Sequence, residues 1–435
     1  METVRTDTKS DEEALAAVSL PPDRAEASDS LRRDALLIGV GWLGTALAMG
    51  IADLPLRYLL KDHLGLPPHA TAWFFAAGNF PIYIKPLAGI LSDGVPLLGT
   101  RRKHYLLLSL LAGGALWLLL GLVPRAFESL LWTFVALNVC LTLTSTVLGG
   151  LMVDAGQRHN ATGRLSAQRV GITRAVALVA GPLSGFLAAR AFGLSVGLSA
   201  ALHFALVPVF ALFLREEPLR FRHNNRALAE VGRQARTLLH SGTLWSAAGL
   251  VFLVIISPGF GTPLFYYQTN VLRFKPQFIG NLGLVSGAFG FLGACVYGLV
   301  CRRWNLRLLL AASIVVHIVG TLLYLSYRSP ALALLITAAN GATGVLAILP
   351  LYDLAARATP RGSEALGYSL MMSVWNFTNA LSDLLGSWLY DHFHLRFVHL
   401  VWLNAGTTAL VLLAVPFLPH VLMNRRDGEA SPVRA

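Results

Sequence analysis

The stretch DLPLRYLLKDHLGLPP runs from Asp53 to Pro68, and GTPLFYYQTNVLRFKP runs from Gly261 to Pro276. Laid over each other without a gap, they share Pro55 with Pro263, Leu56 with Leu264, Tyr58 with Tyr266, Leu64 with Leu272 and Pro68 with Pro276. Leu66 meets Phe274. Identities at corresponding points of two equal halves imply one structural unit written twice.

Composition says what that unit is made of. Of 435 residues, 55% are hydrophobic and 13% charged, and the mean hydropathy is +0.59. A soluble domain carries about 25% charged residues, so apolar surface on this scale must face lipid. A membrane span needs about 20 mostly apolar residues. Twelve such stretches are present, near 35–60, 69–92, 104–124, 129–153, 168–191, 195–214, 244–267, 276–300, 305–327, 330–353, 364–390 and 396–421. Residues 1–34 mix acids, bases, proline and serine without an apolar run, which predicts a disordered tail and no cleavable signal peptide. Cys140, Cys295 and Cys301 lie in or beside spans without metal-ligand spacing and read as packing residues. No P-loop, nucleophile elbow, dinucleotide fingerprint or metal-ligand cluster occurs in the sequence. ATP-driven transport and the common enzyme classes are therefore disfavoured, and no cofactor or metal is expected.

The net charge of +12 would suit nucleic acid, but its distribution does not. Alternate segments outside the spans, starting from the N-terminus, hold 25 Lys and Arg, and the intervening loops hold seven. Arg57, Lys85 and Arg174 lie within spans. This is the positive-inside pattern. It places both termini in the cytoplasm and requires an even number of spans.

The longest polar interruption, Arg215 to Gly242, divides the spans six and six. The predicted organisation is a tail (1–34), a six-helix bundle (35–214), a cytoplasmic linker (215–243), a second bundle (244–423) and a tail (424–435). The chain is thus read as an all-α integral membrane protein. Its twelve transmembrane helices form two pseudo-symmetric six-helix bundles, related by an axis along the membrane normal. Parallel six-helix repeats of this kind describe the major facilitator superfamily.

Three blocks narrow the resemblance. LKDHLGLPP (60–68) followed by FPIYIKPLAGILSDGVPLLGTRRKHYLLLS (80–109) is similar to the helix 1–3 region of the folate–biopterin transporter family. FYYQTNVLRFKPQFIGNLGLV (265–285) resembles that family's helix 7–8 junction, and ATPRGSEALGYSLMMSVWNFTNALSDLLGSWL (358–389) its helix 11. Muropeptide permeases share a Lys…Asp…Gly-Arg-Arg arrangement like that of the first block. The superfamily loop has a Gly-xxx-Asp-xx-Gly-Arg pattern. Here Gly89 and Asp93 fit, but seven residues separate Asp93 from Arg101, and the equivalent loop of the second half has arginines and no acid. The resemblance implies a secondary transporter working by alternating access on folate- or pterin-type solutes. The alternatives are a permease for a muropeptide or amino-acid-like solute, or a membrane protein that kept the fold without transport.

Each ionisable group within a span costs at least about 2.5–3.5 kcal/mol on insertion scales if left near the bilayer centre. Asp53 and Arg57, at i and i+4, share one helix face and can pair. They are either a local ion pair or a proton carrier with an anion-binding partner. Lys85 precedes Pro86 in a span that Pro81 and Pro86 must kink. It either snorkels to the headgroups or faces the bundle interior as an anion site. Arg174 has the same two readings, and Asp154 and Arg164 flank the turn before it. Gly89, Asp93, Arg101 and Arg102 read as a cytoplasmic latch, in which a carboxylate accepts guanidinium bonds in one access state only.

In the eleventh span Tyr368, Met372, Asn376, Asn379, Asp383, Ser387 and Tyr390 fall within an arc of about 100°. A polar stripe of this length cannot face lipid. It lines a cavity or bonds a neighbouring helix, and Asp383 favours the cavity. In the seventh span, SPGFGTP should break the helix at Pro258 and Gly259 and free backbone groups. Tyr266, Tyr267 and Gln268 then suit a flat heterocycle, or an interfacial aromatic belt. Asp53 and Asp383 are expected at similar depth, one in each bundle, as the proton-coupling acids. The expected partners are a small-molecule substrate, protons and the lipid bilayer, with no nucleic acid, and the protein is expected to be a monomer.

Overall fold

The computed structural model describes residues 24–95, 97–100, 102–159, 161–216, 224–301, 303–360 and 364–413. Twelve helical rods account for most of them. The first half holds α1 (Arg24–Tyr58), α2 in three pieces (Pro68–Gly78, Phe80–Tyr83, Lys85–Gly94), α3 (Lys103–Leu122), α4 (Phe127–Arg158), α5 (Thr162–Ala188) and α6 (Phe192–Phe213). A linker helix, Asn224–Leu239, follows. The second half holds α7 in two pieces (Gly242–Ile255, Gly261–Tyr266), α8 (Pro276–Val300), α9 (Leu306–Leu323), α10 (Pro330–Ala358), α11 (Glu364–His392) and α12 (Phe397–Val411).

Eight rods are long, unbroken and apolar enough to cross a membrane. The other four are α2, α7, α11 and the short α12, and composition explains three of them. Pro81 and Pro86 cut α2, because each removes a donor and crowds the carbonyl four residues earlier. Tyr83 Oη donates to Ala76 O at 2.9 Å beside the first cut. Pro258 and Gly259 lie in the gap of α7, and the polar stripe dilutes α11. Large apolar side chains such as Leu122, Trp132, Leu299 and Leu335 project outward, as a lipid-facing surface requires. The protein is an integral, multi-pass membrane protein.

α1 begins earlier than its apolar run suggested. Residues 24–34, assigned above to the tail, are helical. Leu31 packs against the buried cluster around Leu37 and Leu106. Asp34 accepts from Arg158 at 3.2 Å, and Arg33 donates to Phe213 O at 3.0 Å. Contacts to α4 and α6 thus hold residues 31–34 against the first half.

The repeat seen in the sequence is also a repeat of backbone. After Tyr58 the chain makes a π-helical turn, Leu59–His63, and after Tyr266 it makes the matching turn, Tyr267–Val271. Leu66 N–H donates to Leu60 O at 3.1 Å, and Phe274 N–H to Gln268 O at 2.9 Å. Gly65 and Arg273 both take a left-handed conformation, with φ of 64° and 52°. Pro68 and Pro276 then start the next helix at its first position, where the missing N–H is no loss. The face carrying these turns is called the repeat face below, and the opposite face, carrying the linker, the linker face.

Within the halves, α1 packs on α5 and α6, α3 on α4 and α6, and α8 and α9 on α10. The two most extensive contacts that join the halves are α5 against α8 and α11 against α2, and α7 also meets α2. The first is a backbone contact. A Cβ added at Gly280 would lie 2.4 Å from Gly181 O, and one at Gly185 would lie 2.7 Å from Pro276 O.

Candidate substrate and coupling site

A cavity of about 340 Å³ lies between the halves toward the repeat face. That volume is at the lower end for small-molecule sites. Gly50, Asp53, Leu54 and Arg57 of α1 line it, with Ser184 of α5, Gly261, Thr262 and Phe265 of α7, Gln268 just beyond, and Asp383 of α11. Gly181, Gly280 and Gly283 complete a wall that is mostly backbone.

Arg57 Nε donates to Asp53 Oδ2 at 3.1 Å. The guanidinium lies over the Phe75 ring, 4.6 Å from its centroid. Both Nη groups are left for a ligand, because the bond to Asp53 uses Nε. The Asp53 side chain is 53% exposed and that of Arg57 26%, so the acid is the more accessible partner.

Asp383 has a different setting. Its Oδ1 accepts from Thr262 N–H at 2.8 Å, and its Oδ2 from Thr262 Oγ1 at 2.6 Å. Thr262 is the second residue of the resumed α7, where a helix leaves its N–H groups unsatisfied. Asp383 therefore acts as a cap delivered from another helix. The rest of the break is covered in the same way. Gly259 N–H donates to Ser382 O at 2.8 Å, Ser382 Oγ to Ser257 O at 2.6 Å, and Asn404 Nδ2 to Pro258 O at 3.0 Å. Freed backbone at membrane depth is tolerated only where it lines a cavity or is covered by protein. Gly261 and Thr262 meet the cavity, while Ser257, Pro258 and Gly259 are covered by α11 and α12.

The remaining candidates divide. Gln268 is buried, donates to Tyr327 Oη at 2.7 Å and borders the cavity. Tyr267 turns away and stacks on Phe397, with centroids 4.7 Å apart. Tyr266 crosses to the other half, bonding Leu66 O and, at 2.7 Å, Thr71 Oγ1. His69, beside it, donates its N–H to Asp391 Oδ2 at 2.6 Å, and its Nδ1 lies 2.8 Å from the same oxygen. These bonds tie α2 to α7 and α11 at the repeat face. Of the α11 stripe, Asn379 is exposed and bonds its own helix at Trp375 O (2.9 Å), and Asn376 is half-buried.

At the linker face Arg102 pairs with Asp154, and its backbone N–H reaches Glu216 at 3.0 Å. The sequence had grouped Asp154 with Arg164 and Arg174. Gly89 faces α4, where an added Cβ would be 3.7 Å from Thr146. Arg101 and the side chain of Asp93 lie outside the described residues. Lys85 and Arg174 are half-buried and lie away from the cavity lining. Sequence reasoning missed Ser184, Thr262, His69, Asp391 and Arg169. The first four become visible only through their partners in other helices. Arg169 sits where a span begins and was counted as a loop charge.

Residues 45–327 and 332–430 match the model of the BT1 family. The chain belongs to the BT1 family. The chain is 29% identical over 400 residues to the folate-biopterin transporter of Synechocystis sp., covering 85% of this chain and 78% of that protein. It is 23% identical over 396 residues to the putative folate transporter 2 of Plasmodium berghei, covering 85% of each. Among solved structures, a single-residue mutant of the nucleoside transporter NupG superimposes with a TM-score of 0.70 at 14% identity, covering 88% of this chain and 99% of that one. This identifies the fold as that of the major facilitator transporters. The family and these relatives are transporters, not enzymes.

Proposed function

We propose that this BT1 family member is a secondary transporter. It moves a folate- or pterin-type anion by alternating access, coupled to protons. The observation that carries this reading is the cavity between the halves, lined by Arg57, by the Asp53 that pairs with it and by Asp383, which caps Thr262. The names of the relatives support the solute class.

With Asp53 and Asp383 both ionised, the pair and Arg57 sum to one negative charge, which opposes entry of an anion. Taking up one proton removes that opposition. Asp383 spends both oxygens on Thr262, so moving it would uncover a broken helix end. Asp53 has only Arg57, and an acceptor group of the substrate can replace it there. Asp53 is therefore the acid that exchanges the proton, while Asp383 holds the α7 break closed. This shifts the coupling role away from the pair of acids expected from sequence and onto one of them.

The linker face is assigned to the cytoplasm, because the alternate sequence segments that include the linker hold 25 basic residues and the intervening loops seven. Cysteines placed at Ser241 and Ser326 should label from opposite sides of the membrane. The central test is uptake of labelled folate and pterin into vesicles with and without a pH gradient. Accumulation driven by the gradient is expected, and Asp53→Asn should abolish it while leaving exchange of substrate across the membrane. Accumulation by Asp53→Asn equal to wild type would remove the proton from this site.

A further inference from the structure

Three cations on the linker-face side of the cavity stand without an ion pair among the described residues. Lys85 of α2, Arg169 and Arg174 of α5 are all half-buried. Half-buried charges at membrane depth are costly and need a partner or a water-filled space. Elsewhere in the described structure buried or half-buried cations do find acids, as Arg57 finds Asp53 and Arg102 finds Asp154.

The three belong to one wall. Lys85 and Arg169 lie within electrostatic reach of each other, and Arg169 and Arg174 both lie within such reach of Tyr352 of α10. Arg169 also faces Tyr368 of α11, and its guanidinium lies over Trp42 of α1, 4.3 Å from the ring centroid. Arg174 lies against α8, with Nη1 3.5 Å from where a Gly290 Cβ would be. Helices of both halves thus contribute, so a ligand held there would touch both. Stacking on Trp42 fixes one guanidinium.

Position relates this wall to the cavity. Arg174 precedes Ser184 by ten residues and Arg169 precedes it by fifteen, which is about 15 and 22 Å along α5. A solute with a ring at one end and carboxylates at the other could reach both places.

We propose that Lys85, Arg169 and Arg174 form a second anion subsite that grips the carboxylate end of a substrate whose ring occupies the cavity beside Asp53. The inference rests on the transporter reading above. The subsite makes the protein select carboxylate-bearing folates over pterins that lack carboxylates. A guanidinium can meet a carboxylate with two parallel bonds, and Lys85 supplies a point charge beside them.

The test is competition between folate and a carboxylate-free pterin for uptake by vesicles containing the full chain. In Arg169→Gln and Arg174→Gln the preference for folate, as a ratio of kcat/KM, should fall by about tenfold or more, since a hydrogen bond to a charged group is worth that much. Arg169→Lys should recover part of it. An unchanged preference would overturn the subsite, and so would equal losses for both solutes. If a variant does not fold, the wild-type protein answers alone. Its thermal stabilisation by folate should weaken as salt rises, and that by the pterin should not. Equal salt dependence would count against the subsite. A wild-type protein that moves and binds neither solute would overturn the transporter reading, and the subsite with it. Uptake of folate with no change in the variants would overturn the subsite alone.

Discussion

The two copies of the repeat share a backbone and differ in how they satisfy it. In the first copy, Leu54 N–H donates to Ser184 Oγ of α5 at 3.1 Å. In the second, the matching Thr262 N–H donates to Asp383 of α11 at 2.8 Å. Each half thus uses its fifth helix to cover the same backbone group on its first. The first half does so with a neutral hydroxyl inside an unbroken helix. The second does so with a carboxylate at a break. The first copy in turn carries its charges on α1, as Asp53 and Arg57, where the second has Gly261 and Phe265. One repeated backbone geometry thereby sets two acids beside the same cavity with different freedom.

The largest effect should come from crowding the break that only the second half has. A Cβ at Gly386 would lie 1.7 Å from Gly259 O, which no rotamer can relieve. Gly386→Ala should cost at least the about 1–3 kcal/mol typical of overpacking. It should be read as a fall in thermal stability in detergent and in folded yield. A stable Gly386→Ala would mean that α7 and α11 are not locked together here.

Next comes the cap itself. Asp383→Ala leaves the Thr262 N–H and hydroxyl without their acceptors, at about 1–3 kcal/mol for an unsatisfied group. Ser184→Ala strips only one N–H and should cost less, while Asp383→Asn should keep most of the stability because an amide oxygen still accepts. Melting temperatures of the three variants would rank them. If Ser184→Ala and Asp383→Ala are equal, the contrast between the halves is wrong.

The smallest effect separates the paired tyrosines. Tyr266 Oη bonds Leu66 O and Thr71 across the halves. Tyr58 Oη is buried with no partner among the described residues. Tyr266→Phe should loosen the repeat face by about 0.5–1.5 kcal/mol, seen as faster labelling of a cysteine placed in the cavity. Tyr58→Phe should leave the rate near that of wild type.

Particular residues show what could be read from sequence. Proline and glycine act on their own backbone, so the cuts in α2 and α7 were visible before any contact was known. Asp53 and Arg57 are one helical turn apart, so their pairing was visible as well. Asp383 was visible as an acid on a polar stripe, but its partner Thr262 lies 121 residues away. Tyr267 looked like its neighbour Tyr266, yet one packs on Phe397 and the other reaches the opposite half. A helix rotated by 100° between adjacent residues sends them to different neighbours.

What the sequence alone determined was therefore local and periodic: spans, kinks, a duplicated turn and one ion pair. These depend on covalent geometry and on spacings within one helix. The tertiary structure decided that Asp383 is consumed by Thr262 while Asp53 stays more accessible, and that Arg169 stacks on Trp42. Those outcomes depend on how each helix is turned about its axis against its neighbours, as Asp383 meets Thr262 from 121 residues away. No spacing within a single helix encodes that rotation, because it is settled by the packing of all the helices together.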